Sequence, residues 1–347
     1  MPRTLKGIFF ALLLVVLAVP AWAGETWKLT ILHTNDRHGR MEMAPYQWED
    51  SPFSEAARDL GGLARMATAI EQIRARTNNP LVLVDTGDVF TRGPWHEKWY
   101  GEPEIEAMNA MGYDMLCVGN NEFKAINEDP VSKGMMLRLM RRSRFPWLAA
   151  NLTLGDGAPP GCDSLAFVEG IHPFVVRSFE GVRVGFLGLT TAASSEYPHL
   201  KGWTVGDPVE AARKWVAKAR AECDILIAVT HLGARTDMAL VGKVEGIDAI
   251  IGGHSHTFVS EAFLVPNQRG IDVPIAQAGE GGVVLGRLDL AFHREGEDGW
   301  RLADTTVELV PIDRSFAESP ALSRMLSRYL VESEDALEAQ PVPAPAG

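Results

Sequence analysis

Cysteine is scarce in this chain of 347 residues, which contains only Cys117, Cys162 and Cys223. No two of them form a Cys-x-x-Cys pair, so the sequence excludes a thiolate zinc site or a thioredoxin-like motif of that pattern. An exported chain can pair two cysteines, but this spacing is not that of a disulfide framework. Cys117 and Cys223 lie in or beside apolar runs, and we therefore expect buried free thiols.

Positive charge is also in short supply. The chain has 33 Lys and Arg residues against 45 Asp and Glu residues, for a formal net charge of -12. Nonspecific binding to nucleic acid requires cationic patches that displace counterions, so this balance argues against nucleic acid as a partner. It does not argue against a small anionic ligand, because a bound metal can reverse the local field.

Only one apolar run is long, and it lies near the amino terminus. Arg3 and Lys6 precede the uninterrupted run at 8–19, and Ala21-Trp22-Ala23 supplies the small residues of a cleavage site. This order predicts a secretory signal peptide over residues 1–23. The alternative is an uncleaved membrane anchor, but the run is short for a hydrocarbon core of about 30 Å. We expect a periplasmic or secreted mature chain without a stable membrane anchor, whose net charge moves from -12 to -14 as two positive charges are removed.

Short apolar runs recur along the rest of the chain, and each ends at a polar cluster. The runs are Leu29–Leu32, Leu81–Val84, Met115–Val118, Ile225–Val229 and Asp248–Ile251. Their length and their Val, Ile and Leu content suit buried strands. Helical spacing of apolar residues occurs between them, in Gly62–Arg76, Glu104–Met111 and Pro208–Ala221. Alternation of the two patterns predicts a largely parallel, layered α/β fold in one domain from about residue 27 to residue 315.

Part of the sheet structure is expected to be antiparallel. Residues 175–190 predict a hairpin that turns at Glu180 and the glycine after it. A second strand pair is predicted at 282–293 and 300–311, so the sheets should be mixed. Residues 316–347 are expected to form a charged helix followed by a flexible, Pro-rich tail.

The polar clusters that end the strands carry candidate metal ligands. In open α/β sheets, functional groups collect beyond the carboxyl ends of the strands. Asp36 and His38, like His254 and His256, have the spacing that puts both side chains on one side of an extended backbone. Carboxylate, imidazole and amide ligands without thiolate suit Mn²⁺, Zn²⁺, Fe²⁺ or similar ions. Each cluster alone is a weak signal, but five at the same topological position indicate a metal site.

The same clusters carry a family resemblance. The motifs are Thr34-Asn-Asp-Arg-His-Gly39, Asp85-Thr-Gly-Asp88, Gly119-Asn-x-Glu-Phe123, Thr230-His-Leu-Gly233 and Gly252-Gly-His-Ser-His256. As a set, over about residues 28–312, they resemble the calcineurin-like metallophosphoesterases, and within them the branch of 5′-nucleotidases and UDP-sugar hydrolases. The resemblance implies a four-layer α/β/β/α sandwich with two metals between the ends of its sheets.

The resemblance also implies roles for seven side chains. One metal would be held by Asp36, His38 and His256, the other by Asn120, His231 and His254, with Asp88 as the bridge. Two divalent ions with two carboxylates leave a local charge of about +2, which attracts and polarises a phosphate. Water that bridges the ions has a lowered pKa and is the expected nucleophile. The expected partner is a small phosphorylated substrate, while the sequence leaves protein partners open.

Two positions depart from the family pattern. Members with strong nucleotidase activity read Gly-Asn-His-Glu-Phe-Asp, in which the His and the final Asp form a catalytic dyad. Here Asn121 and Lys124 stand at those positions. Asn121 can donate a hydrogen bond to a developing oxyanion but cannot deliver a proton, whereas Lys124 can supply positive charge. Both are candidate catalytic residues.

Further contacts to the phosphate or the ligands are expected from Asn35, Arg40 and Arg65. Arg40 is the third candidate catalytic residue because it follows the first ligand cluster directly, and its alternative role is a surface salt bridge. The nucleotidases that the sequence resembles continue into a carboxyl-terminal domain that stacks the substrate base, so base selection is expected to come from elsewhere or to be absent. Aromatic candidates for a lid over a substrate ring, or for packing the loops onto the body, are Tyr46, Trp48, Trp95, Trp99 and Tyr100.

Three functions are compatible with these patterns. The first is an exported two-metal phosphoesterase that hydrolyses phosphate monoesters, nucleotides or related small esters. The second is a thiosulfohydrolase of sulfur oxidation, which resembles the same family and also alters the dyad positions. The third is a metal-binding protein without catalysis. All seven ligand positions remain chemically competent, which favours a hydrolase.

Overall fold

The computed structural model describes residues 25–41, 43–44, 59–90, 98–123, 135–154, 170–192, 203–294, 296 and 299–338. The predicted signal peptide and the Pro-rich tail lie outside these residues. Within them, no helix combines the length and the apolar character needed to cross a membrane.

Seven strands form the first sheet. In spatial order they are β17 (Trp300–Pro311), β16 (Val284–Arg294), β1 (Thr26–Thr34), β4 (Leu81–Asp85), β5 (Met115–Cys117), β6 (Trp147–Leu148) and β8 (Ile171–His172). Pairing is parallel from β1 through β4, β5 and β6 to β8. The antiparallel pair predicted near the carboxyl end is confirmed as β16 and β17, and β16 also pairs antiparallel with β1.

Six strands form the second sheet. In spatial order they are β14 (Phe263–Pro266), β15 (Asp272–Ala276), β13 (Ala249–Ile251), β12 (Ile225–His231), β10 (Val182–Thr190) and β9 (Phe174–Phe179). The four central strands are parallel, and the two edge strands are antiparallel to their neighbours. The predicted hairpin is confirmed as β9 and β10, whose turn holds Glu180 and Gly181 at φ values of 51° and 89°. Two short pairs complete the described strands: β2 (Met43–Ala44) with β3 (Leu60–Gly61), and β7 (Leu152–Leu154) with β11 (Trp203–Val205).

Six helices are present in the described residues. They are α1 (Leu63–Arg76), α2 (Glu102–Met111), α3 (Met135–Arg142), α4 (Pro208–Glu222), α5 (Ala234–Val241) and α6 (Pro320–Glu338). The three helical patterns of the sequence correspond to α1, α2 and α4. The last of these begins after Asp207, whose carboxylate accepts hydrogen bonds from the backbone N–H groups of Val209 and Glu210, as an N-cap does.

Three apolar clusters set the packing order of these elements. Along β4, Leu83 belongs to the cluster beneath α1, α2, α3 and α6, whereas Val84 belongs to the cluster between the two sheets. Along β12, Ile227 faces the first sheet, whereas Leu226 packs with α4 and α5. Successive strand residues point to opposite faces, and central strands such as β4 and β12 are buried on both. The α/β class with mixed sheets is confirmed, and the four-layer order of the sandwich stays a prediction.

Two of the three cysteines lie in these cores. Cys117 and Cys223 are buried free thiols, as the sequence predicts. Burial raises the pKa of both thiols, which keeps them protonated and unreactive. Cys162 lies outside the described residues.

Candidate metal centre

The candidate ligands come together where the carboxyl ends of β1, β4, β5, β12 and β13 meet. Backbone hydrogen bonds join their loops directly. The N–H of Asp36 donates to the carbonyl of Gly87, and the N–H of His38 to that of Asp88, both over 2.9 Å. The N–H of Gly281 donates to the carbonyl of Asp36 over 2.8 Å. These bonds fix the ligand loops of the first sheet against one another and against a loop of the second.

The first group of ligands is Asp36, His38 and His256, called site A below. One ligand atom of each residue lies within 4.8 Å of the others. The Nε2 atoms of His38 and His256 are 3.2 Å apart, and His256 Nε2 is 3.3 Å from Asp36 Oδ1. Three ligand atoms from two sheets therefore point at one small volume.

The second group is called site B below, and consists of Asp88, Asn120, His231 and His254. Asp88, His231 and His254 satisfy the same distance limit of 4.8 Å. His231 Nε2 is 3.3 Å from Asp88 Oδ1 and 3.2 Å from Asn120 Oδ1. The resemblance implies the same division except for Asp88, which it places between the two ions; that bridging role stays a prediction.

Backbone strain is concentrated at these ligands. In the described part of the chain, seven residues other than glycine have a positive φ in the left-handed region, and five are ligands. They are Asp36 (50°), His38 (53°), Asp88 (56°), His254 (77°) and His256 (54°). Such a conformation costs roughly 1–3 kcal/mol per residue and persists only where the surroundings enforce it. Strain at five candidate ligands supports this region as the candidate functional site.

Two glycines are required by close approach in the same place. A Cβ on Gly253 would lie 2.6 Å from Thr86 Oγ1 and 3.0 Å from His231 Nδ1. A Cβ on Gly119 would overlap Asp88 Oδ1. Any larger residue at either position would displace a ligand of site B.

The donor set fits two divalent cations. It contains two carboxylates, four imidazoles and one amide oxygen, a mixture that suits ions such as Mn²⁺, Zn²⁺ or Fe²⁺. Asp36 Oδ1 is buried and accepts no hydrogen bond from a described residue, although the ring nitrogens of His256 and His231 lie 3.3 and 3.9 Å away. A buried carboxylate oxygen without a donor is destabilising unless a cation satisfies it. Asp36 thus provides the physical argument for a metal at site A.

A comparison with protein families agrees with this geometry. Residues 29–258, which include all seven candidate ligands, match the model of the calcineurin-like phosphoesterases. The chain belongs to the calcineurin-like phosphoesterase family.

The individual relatives share about a third of their residues or fewer with this chain and are longer than it. The chain is 31% identical to the trifunctional nucleotide phosphoesterase protein YfkN of Bacillus subtilis over 339 residues, which cover 89% of this chain and 21% of that protein. It is 29% identical to the 5′-nucleotidase of Bos taurus over 345 residues, which cover 94% of this chain and 56% of that protein. The 5′-nucleotidase precursor of Thermus thermophilus superposes with a TM-score of 0.77 at 26% identity, over 90% of this chain and 60% of that structure. The chain thus spans about half the length of the 5′-nucleotidases that it matches.

The candidate ligands are held in place by neighbouring residues to which the resemblance gives no role. His231 Nδ1 donates to the carbonyl of Thr86 over 2.7 Å, which leaves the lone pair of Nε2 facing site B. The Glu122 carboxylate accepts hydrogen bonds from the N–H groups of Asp88 and Val89 over 2.9 and 2.7 Å, and from that of Gly119 over 2.6 Å. Glu122 therefore fixes the loop that carries Asp88. Burial and the neighbouring charge of Asp88 raise the pKa of Glu122 to about 7.

Gln277 supports the loop that supplies one histidine to each site. Its Oε1 accepts from the N–H of Thr257 over 2.5 Å and from the hydroxyl of Ser255 over 3.0 Å. Its Nε2 donates to the carbonyl of Gly253 over 3.0 Å. Gln277 follows β15, a strand that the sequence analysis missed because Pro274 interrupts its apolar run.

Beneath site A, a buried ion pair ties the first two loops together. Arg37 lies in sequence between Asp36 and His38, but its Nε is 3.3 Å from Asp85 Oδ2. The same carboxylate accepts from the Thr34 hydroxyl over 2.6 Å and from the N–H of Gly87 over 2.9 Å. The first aspartate of the Asp-Thr-Gly-Asp motif is therefore a structural partner and not a member of sites A or B.

Asn121 lies against the ligands, as its sequence position predicts. Its Nδ2 is 2.5 Å from Asp88 Oδ2 and 3.3 Å from His38 Nδ1. Its N–H also donates to Asp88 Oδ1 over 2.7 Å, while its side-chain oxygen is buried without a hydrogen-bond partner among the described residues. The amide thus contacts one ligand of each site.

The four remaining predicted contacts have different outcomes. Asn35 donates to Asp36 Oδ2 over 2.8 Å and so supports site A. Arg40 is half-buried, and its N–H donates to the carbonyl of Arg37 over 3.1 Å. Arg65 is bonded to Asp59 instead. Lys124 lies outside the described residues.

The aromatic residues that the structure describes pack onto the body. The Trp99 ring makes an edge-on contact with Tyr329 of α6, with ring centroids 5.1 Å apart. Tyr100 packs against the apolar cluster that lies between the first sheet and its helices. These two contacts favour packing over a lid, and Tyr46, Trp48 and Trp95 lie outside the described residues.

Proposed function

We propose that this chain is an exported phosphoesterase with a two-metal active site, which hydrolyses phosphate monoesters such as nucleotides or related small esters. The observation that carries the proposal is the adjacency of sites A and B. Asp36 Oδ1 of site A lies 3.9 Å from His231 Nε2 of site B, so two cations held there would both reach one phosphate group. The names of the relatives, a nucleotide phosphoesterase and a 5′-nucleotidase, support nucleotides as the substrate class.

The side chains of this protein provide binding and orientation. When bound, two divalent ions supply positive charge that polarises a phosphate ester and lowers the pKa of nearby water. Asp88 is held by Glu122 and Asn121 so that its carboxylate faces His231. Asn121 presents an amide that donates a hydrogen bond to a phosphoryl oxygen when it turns from Asp88, and Arg40 and Lys124 add positive charge for the phosphate.

Export is proposed from the first 23 residues. A charged start, one apolar run and Ala21-Trp22-Ala23 are the parts that a signal peptidase recognises. We expect expression of the full chain in a Gram-negative host to release a periplasmic protein that begins at Gly24. Recovery of the uncleaved chain in the membrane fraction would show an anchor instead.

The function is tested on residues 24–347 after metals have been removed with a chelator. Mn²⁺ or Zn²⁺ is titrated back to measure binding stoichiometry, and a panel of nucleoside monophosphates, nucleotide sugars and p-nitrophenyl phosphate is assayed. We expect two ions per chain and hydrolysis that requires them. Asp88→Ala and His231→Ala should each lower turnover by about 10³-fold or more, because the metal supplies several kcal/mol.

A matched control separates site effects from general damage. His293 lies on β16 opposite the amino end of β1, away from both sites, and His293→Ala should leave turnover unchanged. Two bound ions without turnover on any ester would replace the proposal by a metal-binding protein. Turnover confined to a sulfonated thiol on a carrier protein would replace it by a thiosulfohydrolase.

A further inference from the structure

The loop that follows β15 runs between the ligand loops of the two sheets. The N–H of Ala278 donates to Asn35 Oδ1 over 2.8 Å, and Asn35 in turn donates to the carbonyl of Gly279. The N–H of Gly279 donates to the carbonyl of Thr257 over 3.0 Å, and the N–H of Gly281 to that of Asp36 over 2.8 Å. The loop is therefore attached on one side to the Asp36 loop and on the other side to the His256 loop.

Glu280 is the one charged residue of this loop, and it faces a ligand. Its Oε1 lies 3.1 Å from Nδ1 of His256, whose Nε2 faces Asp36 and His38 in site A. The two flanking glycines, Gly279 and Gly281, have φ values of 65° and 69°. The loop conformation that glycine permits brings the carboxylate to the side of the imidazole opposite site A.

We propose that Glu280 is a positioning residue for site A, an inference that rests on the proposed two-metal function. Its carboxylate accepts the Nδ1–H of His256 and so fixes the tautomer in which the Nε2 lone pair faces the cation. A carboxylate behind a ligating imidazole also increases the basicity of that ligand. Glu280 thereby sets how tightly site A holds its ion.

The effect is specific to site A. In site B, the Nδ1 of His231 is bonded to the neutral carbonyl of Thr86. A carboxylate makes a stronger, charge-assisted bond than a carbonyl does. Removal of Glu280 therefore weakens one of the two binding events and leaves the other unchanged.

The first test measures both metal affinities by calorimetry on the metal-depleted protein, with Mn²⁺ as the probe. We expect Glu280→Ala to weaken one of the two sites by about 10–100-fold, the usual effect of removing such a partner. Glu280→Gln should fall between Ala and the parent, because its amide oxygen still accepts the Nδ1–H but carries no charge. Partial rescue by Gln distinguishes a hydrogen-bond role from a purely structural role of the loop.

The second test identifies the affected site. In a protein that already carries His38→Ala, site A is lost, and Glu280→Ala should produce no further change in the remaining affinity. The matched control is Glu261→Ala, an exposed glutamate of the neighbouring loop, which should bind both ions as the parent does. Circular dichroism and thermal unfolding of each variant show that it is folded.

The outcomes separate this inference from the proposed function. A parent that binds fewer than two ions would overturn both. A parent that binds two ions, together with a Glu280→Ala variant of unchanged affinities or with equal losses at both sites, would overturn the role of Glu280 alone.

Discussion

The side-chain amide of Asn121 lies 2.5 Å from the carboxylate of Asp88. In the nucleotidase pattern that this sequence resembles, the same position carries the histidine of a catalytic dyad. Here the amide bonds a ligand of site B, and its proximity to His38 Nδ1 at 3.3 Å links it to site A. Asn121 therefore holds ligands in place, but it has no proton to give to a leaving group.

Restoring the dyad should increase turnover on poor leaving groups. We expect Asn121→His combined with Lys124→Asp to raise kcat on a nucleoside monophosphate by up to about 10²–10⁴-fold, the usual contribution of a positioned acid. p-Nitrophenyl phosphate should gain much less, because its leaving group departs without a proton. Steady-state kinetics on both substrates, with the single variants alongside, measure the ratio. Equal gains on the two esters would show that the substitutions act on something other than leaving-group protonation.

Lys124 should contribute positive charge to the phosphate. Its position directly after Phe123, at the end of the ligand motif, is the basis for this expectation. Lys124→Ala should lower kcat by about 10–100-fold, which corresponds to one lost hydrogen bond to a charged group. Lys243→Ala, at an exposed lysine beyond α5, is the matched control and should have no effect. Unchanged turnover in Lys124→Ala would remove Lys124 from the catalytic residues.

Cation binding should stabilise the native state measurably. A ligand that binds only the native state at 100 times its Kd adds about 2.7 kcal/mol to the free energy of unfolding. We expect a chelator to lower the thermal midpoint and Mn²⁺ to restore it. In a variant that carries Asp36→Ala and Asp88→Ala, differential scanning calorimetry should detect no Mn²⁺-dependent shift. A shift of parental size in that variant would place the bound cation outside sites A and B.

The strands that were clearest to predict from the sequence are those buried on both faces. Runs such as Ile225–Val229 lie between two apolar clusters, so nearly every residue is apolar and the pattern is unmistakable. β15 was not predicted because Pro274 stands in its middle, although the strand pairs with both β13 and β14. Helix α5 was not predicted because it starts directly after Gly233 and spans only Ala234–Val241. Tertiary packing, which local pattern does not record, decides such cases.

Only the candidate ligands of the site could be predicted from the sequence. Their residue types recur at the ends of the predicted strands, and the structure brings all seven together. Some supporting residues, such as Asn35 and Glu122, stand inside the ligand motifs, whereas Gln277 and Glu280 come from a distant loop that no local pattern marks. Glu280 stands in Gly-Glu-Gly-Gly, which has the composition of a turn, and its contact with His256 depends on how β15 is placed beside β13.

A buried carboxyl group should make stability depend on pH. Glu104 lies in the first turn of α2, 1% exposed, and neither carboxyl oxygen has a hydrogen-bond partner among the described residues. Burial raises its pKa from the usual 4.5 to about 7. Between these values the native state retains a proton that the unfolded chain releases. The stabilising contribution of protonated Glu104 to the free energy of unfolding is therefore fully present below pH 4.5. It is lost as the pH rises through about 7.

Glu104→Gln removes this titration while it keeps the shape of the side chain. Relative to the parent, the free energy of unfolding of the variant should increase by about 3 kcal/mol as the pH rises from about 4.5 to 8. Urea unfolding in the presence of a chelator, at several pH values, measures the difference without a contribution from bound metal. Glu71→Gln, at an exposed position of α1, is the matched surface control for the loss of one carboxylate. A difference between Glu104→Gln and the parent that stays constant with pH would mean that Glu104 titrates normally in the folded protein.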